Sequence, residues 1–487
     1  MSPILLFSFV AGYFLLLLFV AWYTSRNSNN DSFFIGNRNS NWMLVAFGMI
    51  GTSLSGVTFV SVPGTVSVYS FHYMQVVLGY LIGYVAVAFV LIPLYYKLNL
   101  TSIYDYLQQR FGFTAYKTGA LFFIISRTVG ATARLFLVIN VLQVFILDAL
   151  HIPFWETTVV ILLMILLYTY KGGVKTIVFT DTLQTSFMLL GLVVCIGCIM
   201  HLLGYSFMET MSVLKSKGYA EVFNSDVNSK GFWLKQILGG AFITITMTGL
   251  DQEMMQKNIS VKTLKGSQAN MMVFSLVIVL VNFMFLLLGG LLYVFAATKG
   301  LSLKGDDIFP TIVLHHLPKA VSIIFILGLI SALFPSADGA LTALTSSFCI
   351  DIIGIRRIGL NEKKQKHTRH IVHLTFTLIF LVVITVFKAI NSKSIIDVIL
   401  DLAGYTYGPL LGLFAFGIFT KRRLGEHFGI TLICLAAPVL SYFLTNNIKA
   451  WTGGFQIGIE LLIVNGLLTF IGLWMVSSPQ KRIRNIM

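Results

Sequence analysis

Three ionisable side chains interrupt long apolar runs of this sequence. Arg134 is the midpoint of residues 118–150, Asp338 lies near the middle of residues 319–351, and Asp181 begins another apolar run. Runs of this length are typical of membrane spans. A charge at the centre of a bilayer costs about 2.5–3.5 kcal/mol or more, and such residues usually bind ions or ligands or pair with one another.

Arg134 is the most informative of these residues. A guanidinium that faces a cavity suits a planar carboxylate, which it can bind through two parallel hydrogen bonds. Arg127 lies seven residues earlier, on the same helical face, and we expect it at the wet end of the same path. The alternative is that Arg134 pairs with Asp338 or Asp181 and never contacts a ligand.

Two apolar segments contain clusters of glycine and hydroxyl residues. Residues 51–56 read Gly-Thr-Ser-Leu-Ser-Gly, and residues 239–249 contain three glycines and three threonines. These residues lower helix propensity, and unwound backbone in a bilayer is tolerated only where it lines a cavity or is buried in protein. Paired broken helices indicate a secondary transporter with a midplane site. The alternative is close helix packing through small residues.

The composition requires these segments to lie in a membrane. The chain of 487 residues is 56% hydrophobic and 11% charged, whereas a soluble domain carries about 25% charged residues. We therefore predict an all-α polytopic membrane protein, a single membrane domain over residues 1–487. Its thirteen predicted transmembrane helices are 4–24, 42–66, 72–96, 118–148, 156–170, 181–204, 232–252, 268–298, 320–350, 371–388, 396–419, 428–446 and 455–477.

The two interrupted segments are the second and the seventh, five apart. Because five is odd, the two halves would be related by an inverted repeat. The first repeat would be 42–204 and the second 232–419, with an extra helix at 4–24 and two C-terminal helices in 428–477.

Lysines and arginines predict the orientation. Of the 34 lysines and arginines, 22 lie in loops that follow odd-numbered segments. Three of these 22 are the lysines that follow the seventh segment. The positive-inside rule places these loops in the cytoplasm. We therefore predict a multi-pass protein of the cell membrane with the N-terminus outside and the C-terminus inside, and we attribute the net charge of +15 to topology rather than to nucleic-acid binding.

Five short stretches, spread over nearly the whole chain, match one known family in order. They are 36–38 with 49–59 and 62–64, then 100–107 with 110–111, 171–184, 336–338 and 403–412. The chain resembles the sodium:solute symporter family. The resemblance implies the leucine-transporter fold, a five-plus-five inverted repeat with one helix before it and two after.

The same resemblance implies alternating access driven by sodium, which carries a small organic solute into the cell. Sodium would be the coupling ion, with no other metal and no cofactor. We expect no enzyme activity, because no nucleophile–base pair or metal cluster has motif-like spacing. The sequence leaves the oligomeric state open.

Family members hold sodium with oxygen atoms of the second and ninth helices. Carried onto this chain, the ligands are the carbonyls of Gly51 and Leu54 with Ala332 and Ser336 of the ninth helix. Pro335 departs from the family because many members have a serine there, so one hydroxyl ligand is missing.

Some members bind a second sodium between the aspartate that matches Asp181 and hydroxyls of the ninth helix. Here Pro335 and Gly339 supply no side-chain oxygen, although Asp338 could. We therefore predict at most one strongly bound sodium, with Asp181 and Asp338 as candidates for a second cation or for coupling.

The sialic acid transporters of the family use an arginine on the fourth helix for the substrate carboxylate. That resemblance and the local polarity predict a carboxylate solute such as sialic acid or a monocarboxylate. The alternatives are sodium- or proton-coupled symport of a neutral sugar or amino acid, and a substrate sensor without transport. The candidate solute-binding residues are Ser53, Ser55, Thr58, Phe71, Gln75 and Arg134, and the candidate gate residues are Tyr405 and Tyr407.

Overall fold

The computed structural model describes residues 3–26, 33–34, 36–355, 357–359, 361–390, 395–426 and 428–479, and these residues form a helical protein. The predicted C-terminal tail with Lys481, Arg482 and Arg484 lies outside them. The helices are α1 (Pro3–Thr24), α2 (Trp42–Tyr69), α3 (Tyr73–Lys97), α4 (Asp105–Phe111), α5 (Phe113–Leu150), α6 (Phe154–Leu203), α7 (Phe207–Ser216), α8 (Trp233–Thr244), α9 (Gln252–Ile259), α10 (Leu264–Thr298), α11 (Ile308–His316), α12 (Lys319–Ile353), α13 (Glu362–Ile390), α14 (Ile395–Thr406), α15 (Gly408–Phe419), α16 (Gly429–Thr452) and α17 (Leu461–Val476).

A helix covers each of the thirteen predicted segments. In the described part of the chain, eight helices are singly long and apolar enough to cross a membrane, and the bent pair α14–α15 makes nine. Three more apolar helices are shorter. The all-helical membrane fold is confirmed, whereas the number thirteen and the repeat boundaries stay predictions.

The predicted break in the second segment is confirmed at one residue. Ser55 has φ 45° and ψ 172° inside α2, so the helix continues on both sides of a local interruption. Such an interruption leaves carbonyl groups of the preceding turn without their usual helical donors. Asn41 starts α2, because its side chain accepts a hydrogen bond of 2.9 Å from the amide of Met43.

The seventh segment also breaks, but later than its glycines and threonines suggested. Helix α8 continues through a wide turn at Ile245–Gly249, and Leu250 and Asp251 then leave the helical conformation. A new helix, α9, follows, capped by the Asp251 carboxylate, which accepts from the amides of Glu253 (2.9 Å) and Met254 (3.3 Å). The helical part of this segment thus ends at Gly249, slightly before the predicted end at residue 252, because Asp251 caps the next helix.

Helices α2 and α12 lie at the centre of the bundle. In the most apolar stretch of each, 78% of the residues are buried, against 22% for α16. The two central helices meet at their small residues. A methyl group on Gly51 would lie 3.6 Å from Cγ of Pro335, and one on Gly56 would lie 4.0 Å from the Ala332 carbonyl oxygen.

Candidate solute and sodium sites

The four predicted sodium ligands lie where α2 and α12 touch. Gly51 and Leu54 immediately precede the break at Ser55, and Ala332 and Ser336 are buried inside α12. The Ser336 hydroxyl donates to the Leu333 carbonyl at 3.0 Å, which leaves its oxygen lone pairs available. Hard cations prefer such carbonyl and hydroxyl oxygens. The donor set therefore suits sodium, although no ion is part of the structure.

No side chain of the described residues donates to the carbonyls of Gly51 or Leu54. The nearby hydroxyl of Thr185 instead accepts from the Gly51 amide at 3.1 Å. That contact supports the first half of α2 from α6 without using an oxygen of the break.

A cavity of about 80 Å³ lies beside this break. Three of the predicted solute-binding residues, Ser53, Thr58 and Arg134, line it. Most of the other lining groups are hydroxyls, amides and apolar side chains, so the cavity suits a solute with both polar and apolar faces. The remaining lining residues are Leu54, Tyr73, Tyr80, Tyr84, Arg127, Ile243, Thr244, Met247, Thr248, Met254, Ile278 and Asn282.

The other three predicted solute-binding residues do not line this cavity. Ser55 is buried at the break itself. Phe71 packs its ring edge-on against Phe283, with the ring centres 6.2 Å apart. The Gln75 amide donates to the His72 carbonyl at 3.0 Å. The contacts of Phe71 and Gln75 thus stabilise the start of α3, and neither side chain faces the cavity.

Arg134 does not pair with Asp181 or Asp338 as the alternative interpretation required. Asp181 accepts from Lys257 at 2.7 Å, and Asp338 accepts from the Tyr168 hydroxyl at 2.7 Å. Within the described ranges Arg134 forms no ion pair. Its guanidinium is therefore a partly exposed cation that lines a polar cavity.

Arg127 is the arginine of α5 that is neutralised internally. It pairs with the Glu253 carboxylate, and its other terminal nitrogen lies 3.8 Å from Asp251. Glu253 also lies 3.6 Å from Lys257. One short helix, α9, thus supplies both signs of charge to a buried network that reaches α5 and α6.

The sequence prediction missed Asp251, Glu253 and Lys257. Lys257 was counted among the cytoplasmic loop charges, which was wrong because only 3% of its side chain is exposed. A signal was available in the run Asp-Gln-Glu-Met-Met-Gln-Lys directly after the broken segment. Glu253 and Lys257 are four residues apart, a spacing that joins opposite charges on one helical face.

The two predicted gate residues have different surroundings. Tyr407 lies at the junction of α14 and α15, where the path bends by 44°, and its hydroxyl donates to Asp251 at 3.0 Å. Tyr405 faces the periphery, with its ring centre 6.1 Å from that of Tyr442. Of the two tyrosines, Tyr407 is the one that contacts the buried network of charged residues, through Asp251.

A second cavity, of about 470 Å³, lies on the far side of Tyr73. Tyr73 lines both cavities, and its hydroxyl lies 3.1 Å from that of Tyr80. The side chain of Tyr73 therefore separates the small inner cavity from a larger vestibule. Asn224, Lys230 and Asp401 are among the vestibule's polar lining residues.

The model of the sodium:solute symporter family matches residues 33–426, which is most of the chain. This chain belongs to the sodium:solute symporter family. It is a multi-pass membrane protein that performs sodium-coupled symport of a solute, and the family and the fold are those of a transporter rather than an enzyme.

Several characterised members of the sodium:solute symporter family are similar to this chain. The sodium/sialic acid symporter of Aliivibrio fischeri is 24% identical over 91% of this chain and 88% of its own length. The sodium/sialic acid symporter of Proteus mirabilis is 22% identical over 95% and 93%. The human sodium/iodide cotransporter is 25% identical over 80% of this chain and 61% of its own length.

The solved structure of a sodium-coupled sialic acid symporter in a substrate-bound, outward-open state has the same fold. It matches with a TM-score of 0.82 at 19% identity and covers 96% of this chain and 97% of its own. The central helices of this chain, α2 and α12, thus belong to a fold that is shared with that symporter.

Proposed function

We propose that this symporter carries a small organic carboxylate, such as sialic acid or a monocarboxylate, and that Arg134 binds the carboxylate. The observation that carries the proposal is the contrast between two arginines of α5. Arg127 is paired with Glu253, whereas Arg134 lines the inner cavity and has no ion pair among the described residues. A guanidinium that lines an interior cavity and has no ion pair is stabilised by an anionic ligand.

The hydroxyl-rich wall of the inner cavity supports a solute that carries polar groups besides the carboxylate. Ser53 and Thr58 come from α2, whereas Thr244 and Thr248 come from the seventh segment. The solute would therefore contact both broken segments at once. Two of the similar family members are named for sialic acid, which has both a carboxylate and several hydroxyls.

The inner cavity is smaller than a usual ligand site. It measures about 80 Å³, against roughly 300–1,000 Å³ for typical small-molecule sites. We infer that solute entry requires Tyr73 and Tyr80 to move apart, so that the cavity joins the vestibule. This movement would be the first step of alternating access from the outside.

Sodium would bind between the broken α2 and α12. In this proposal the ligands are the carbonyls of Gly51, Leu54 and Ala332 with the hydroxyl of Ser336. Because Leu54 also lines the solute cavity, a bound ion would fix the geometry of the cavity wall. Sodium binding would thus raise the affinity for solute, and by linkage the solute would raise the affinity for sodium.

The remaining parts of the proposal concern the transport cycle. Tyr407 at the α14–α15 bend, with Tyr405 beside it, would move as a gate between two inverted repeats, 42–204 and 232–419. The N-terminus would be outside the cell and the C-terminus inside. In this orientation the vestibule, which is bordered by Asn224 and Lys230, opens outward.

The proposal is tested by competition between matched acids and amides. Reconstituted protein takes up labelled sialic acid or a labelled monocarboxylate under an inward sodium gradient, and the unlabelled acid and its amide compete. The wild type should prefer the acid by about tenfold or more, because a bidentate arginine contact is worth more than about 1.4 kcal/mol. Arg134→Lys should insert normally and lose most of that preference.

Arg422→Lys serves as the matched control. Arg422 lies outside the cavity, where it donates to the Ser477 hydroxyl and carbonyl. The control should keep the acid preference of the wild type. Equal competition by acid and amide in the wild type would contradict the proposal and would indicate a neutral solute such as a sugar.

A further inference from the structure

Lys257 places a fixed positive charge in the interior of the bundle. Its ammonium lies 2.7 Å from Asp181 Oδ2, 2.6 Å from the Thr52 hydroxyl and 3.6 Å from Glu253 Oε1. Thr52 also donates to the same Asp181 oxygen at 3.2 Å. Three oxygens from α6, α2 and α9 thus surround the ammonium nitrogen, and both members of its ion pair are almost completely buried.

The part of α12 that faces this region offers no hydroxyl at Pro335 or Gly339. Gly339 instead makes room for α9, since a methyl group there would overlap the Glu253 carboxylate. The loss of hydroxyl ligands from α12 and the presence of a lysine–glutamate pair on α9 therefore occur at the same place. Each change fits the other sterically and electrostatically.

We propose that the ammonium of Lys257 is a tethered cation that takes the place of a second sodium ion at Asp181. A buried carboxylate needs a positive neighbour, and either a metal ion or an ammonium can provide it. Sodium would leave with the solute in each cycle, whereas Lys257 stays attached to the chain. The consequence is a symporter coupled to one sodium ion per solute.

Removing the ammonium would expose a usable set of cation ligands. Asp181 Oδ2 and the Thr52 hydroxyl already lie 2.6–2.7 Å from the nitrogen, close to the roughly 2.3–2.6 Å that oxygens keep from a hard cation. Asp181 Oδ1 has no hydrogen-bond partner among the described groups, so the carboxylate retains a second oxygen. A sodium ion could therefore replace the ammonium with a small inward movement of these side chains.

The test counts sodium ions on the purified protein without any solute. Equilibrium binding of radioactive sodium should give one ion per chain for the wild type and two for Lys257→Met, whose side chain has a similar length and no charge. The double variant Lys257→Met with Asp181→Asn should return to one ion. Asp181→Asn alone should also bind one ion, because Asp181 does not ligate sodium in the wild type.

Two ions on the wild type, or loss of its ion in Asp181→Asn, would overturn the proposal. One ion on a monodisperse Lys257→Met protein would do the same. If Lys257→Met does not fold, Asp181→Asn and the double variant, which carries no unpaired charge at these two positions, decide the question.

The expected wild-type count of one rests on the proposed sodium site at Gly51, Leu54, Ala332 and Ser336. Ser336→Ala tests that site separately. If Ser336→Ala left sodium affinity unchanged, the proposed sodium site would fail, yet the gain of an ion in Lys257→Met and its loss in the double variant would still support the role of Lys257.

Discussion

The two broken segments differ in how their backbone carbonyls are hydrogen-bonded. At the first break, in α2, the residues of the break carry no charge of their own, and the carbonyls of Gly51 and Leu54 receive no side-chain donor from the described residues. At the second break, Tyr95 donates to the Gly249 carbonyl at 2.7 Å and Tyr104 donates to the Leu250 carbonyl at 3.0 Å. At the second break, tyrosine hydroxyls of the protein therefore satisfy the backbone carbonyls.

The charges follow the same division. The second break leads into α9, which carries Glu253 and Lys257 into a buried network, whereas the first break has no charged side chain of its own. One break carries no charge of its own and is the proposed sodium site, whereas the other leads into a helix that holds fixed charges. Two segments that are broken in similar ways thus carry different chemistry.

The largest expected effect comes from removing a fixed charge at the second break. Among the described residues, Glu253→Gln leaves Asp251, at 3.8 Å, as the single carboxylate paired with Arg127. Breaking one member of a buried ion pair destabilises a protein by about 3–5 kcal/mol. We expect a large fall in the thermal unfolding temperature of the purified protein and a strong loss of expression.

Asp105→Asn is the control for that change. Asp105 lies 3.8 Å from Arg357 in a partly exposed pair, and exposed pairs contribute about 0–1 kcal/mol. If the two variants had equal unfolding temperatures, the charges of the second break would not be structural and the contrast between the breaks would fail.

A smaller effect is expected at the proposed sodium site of the first break. Ser336→Ala removes one proposed sodium ligand, and a hydrogen-bonding group that meets a charge contributes about 1.5–3 kcal/mol. The sodium concentration for half-maximal uptake should rise about tenfold or more, with little change in unfolding temperature measured without sodium.

Ser322→Ala is the matched control on the same helix, because the Ser322 hydroxyl donates to the Val313 carbonyl at 2.8 Å, in the first turn of α12. Its sodium dependence should equal that of the wild type. An unchanged sodium dependence in Ser336→Ala would show that sodium does not bind at the first break.

The smallest effect is expected at the contact between the α14–α15 bend and the second break. Tyr407→Phe removes a hydrogen bond to the Asp251 carboxylate, and a bond to a charged group is worth about 1.5–3 kcal/mol. Asp251 keeps the amides of Glu253 and Met254 as donors, so the α9 cap is retained. We expect a change of a few-fold in the maximal rate of uptake, with the sodium dependence retained.

Tyr405→Phe, at the neighbouring tyrosine outside the network, should leave the rate near the wild-type value. Equal rates for both variants and the wild type would mean that the bend is not coupled to α9 through Tyr407.

Much of the molecule could be predicted from local properties of the sequence. Membrane spans are visible because apolar runs of 20 residues have few other uses, and the break near Ser55 is visible because glycine and hydroxyl residues cluster around it. The family resemblance then assigned the sodium-coupled activity, which the family model supports. The solute and the sodium ligands stay predictions.

The sequence alone determined the helical membrane class and the position of the first break, because both depend on the composition of single segments. The tertiary structure decided which charges meet. Residues 181 and 257 are 76 positions apart, and no periodicity in either segment links Asp181 to Lys257. Helix α9 was missed for the same reason: its Glu253 and Lys257 look like loop residues until α5 and α6 enclose them, because only burial turns an ordinary charge into an ion pair.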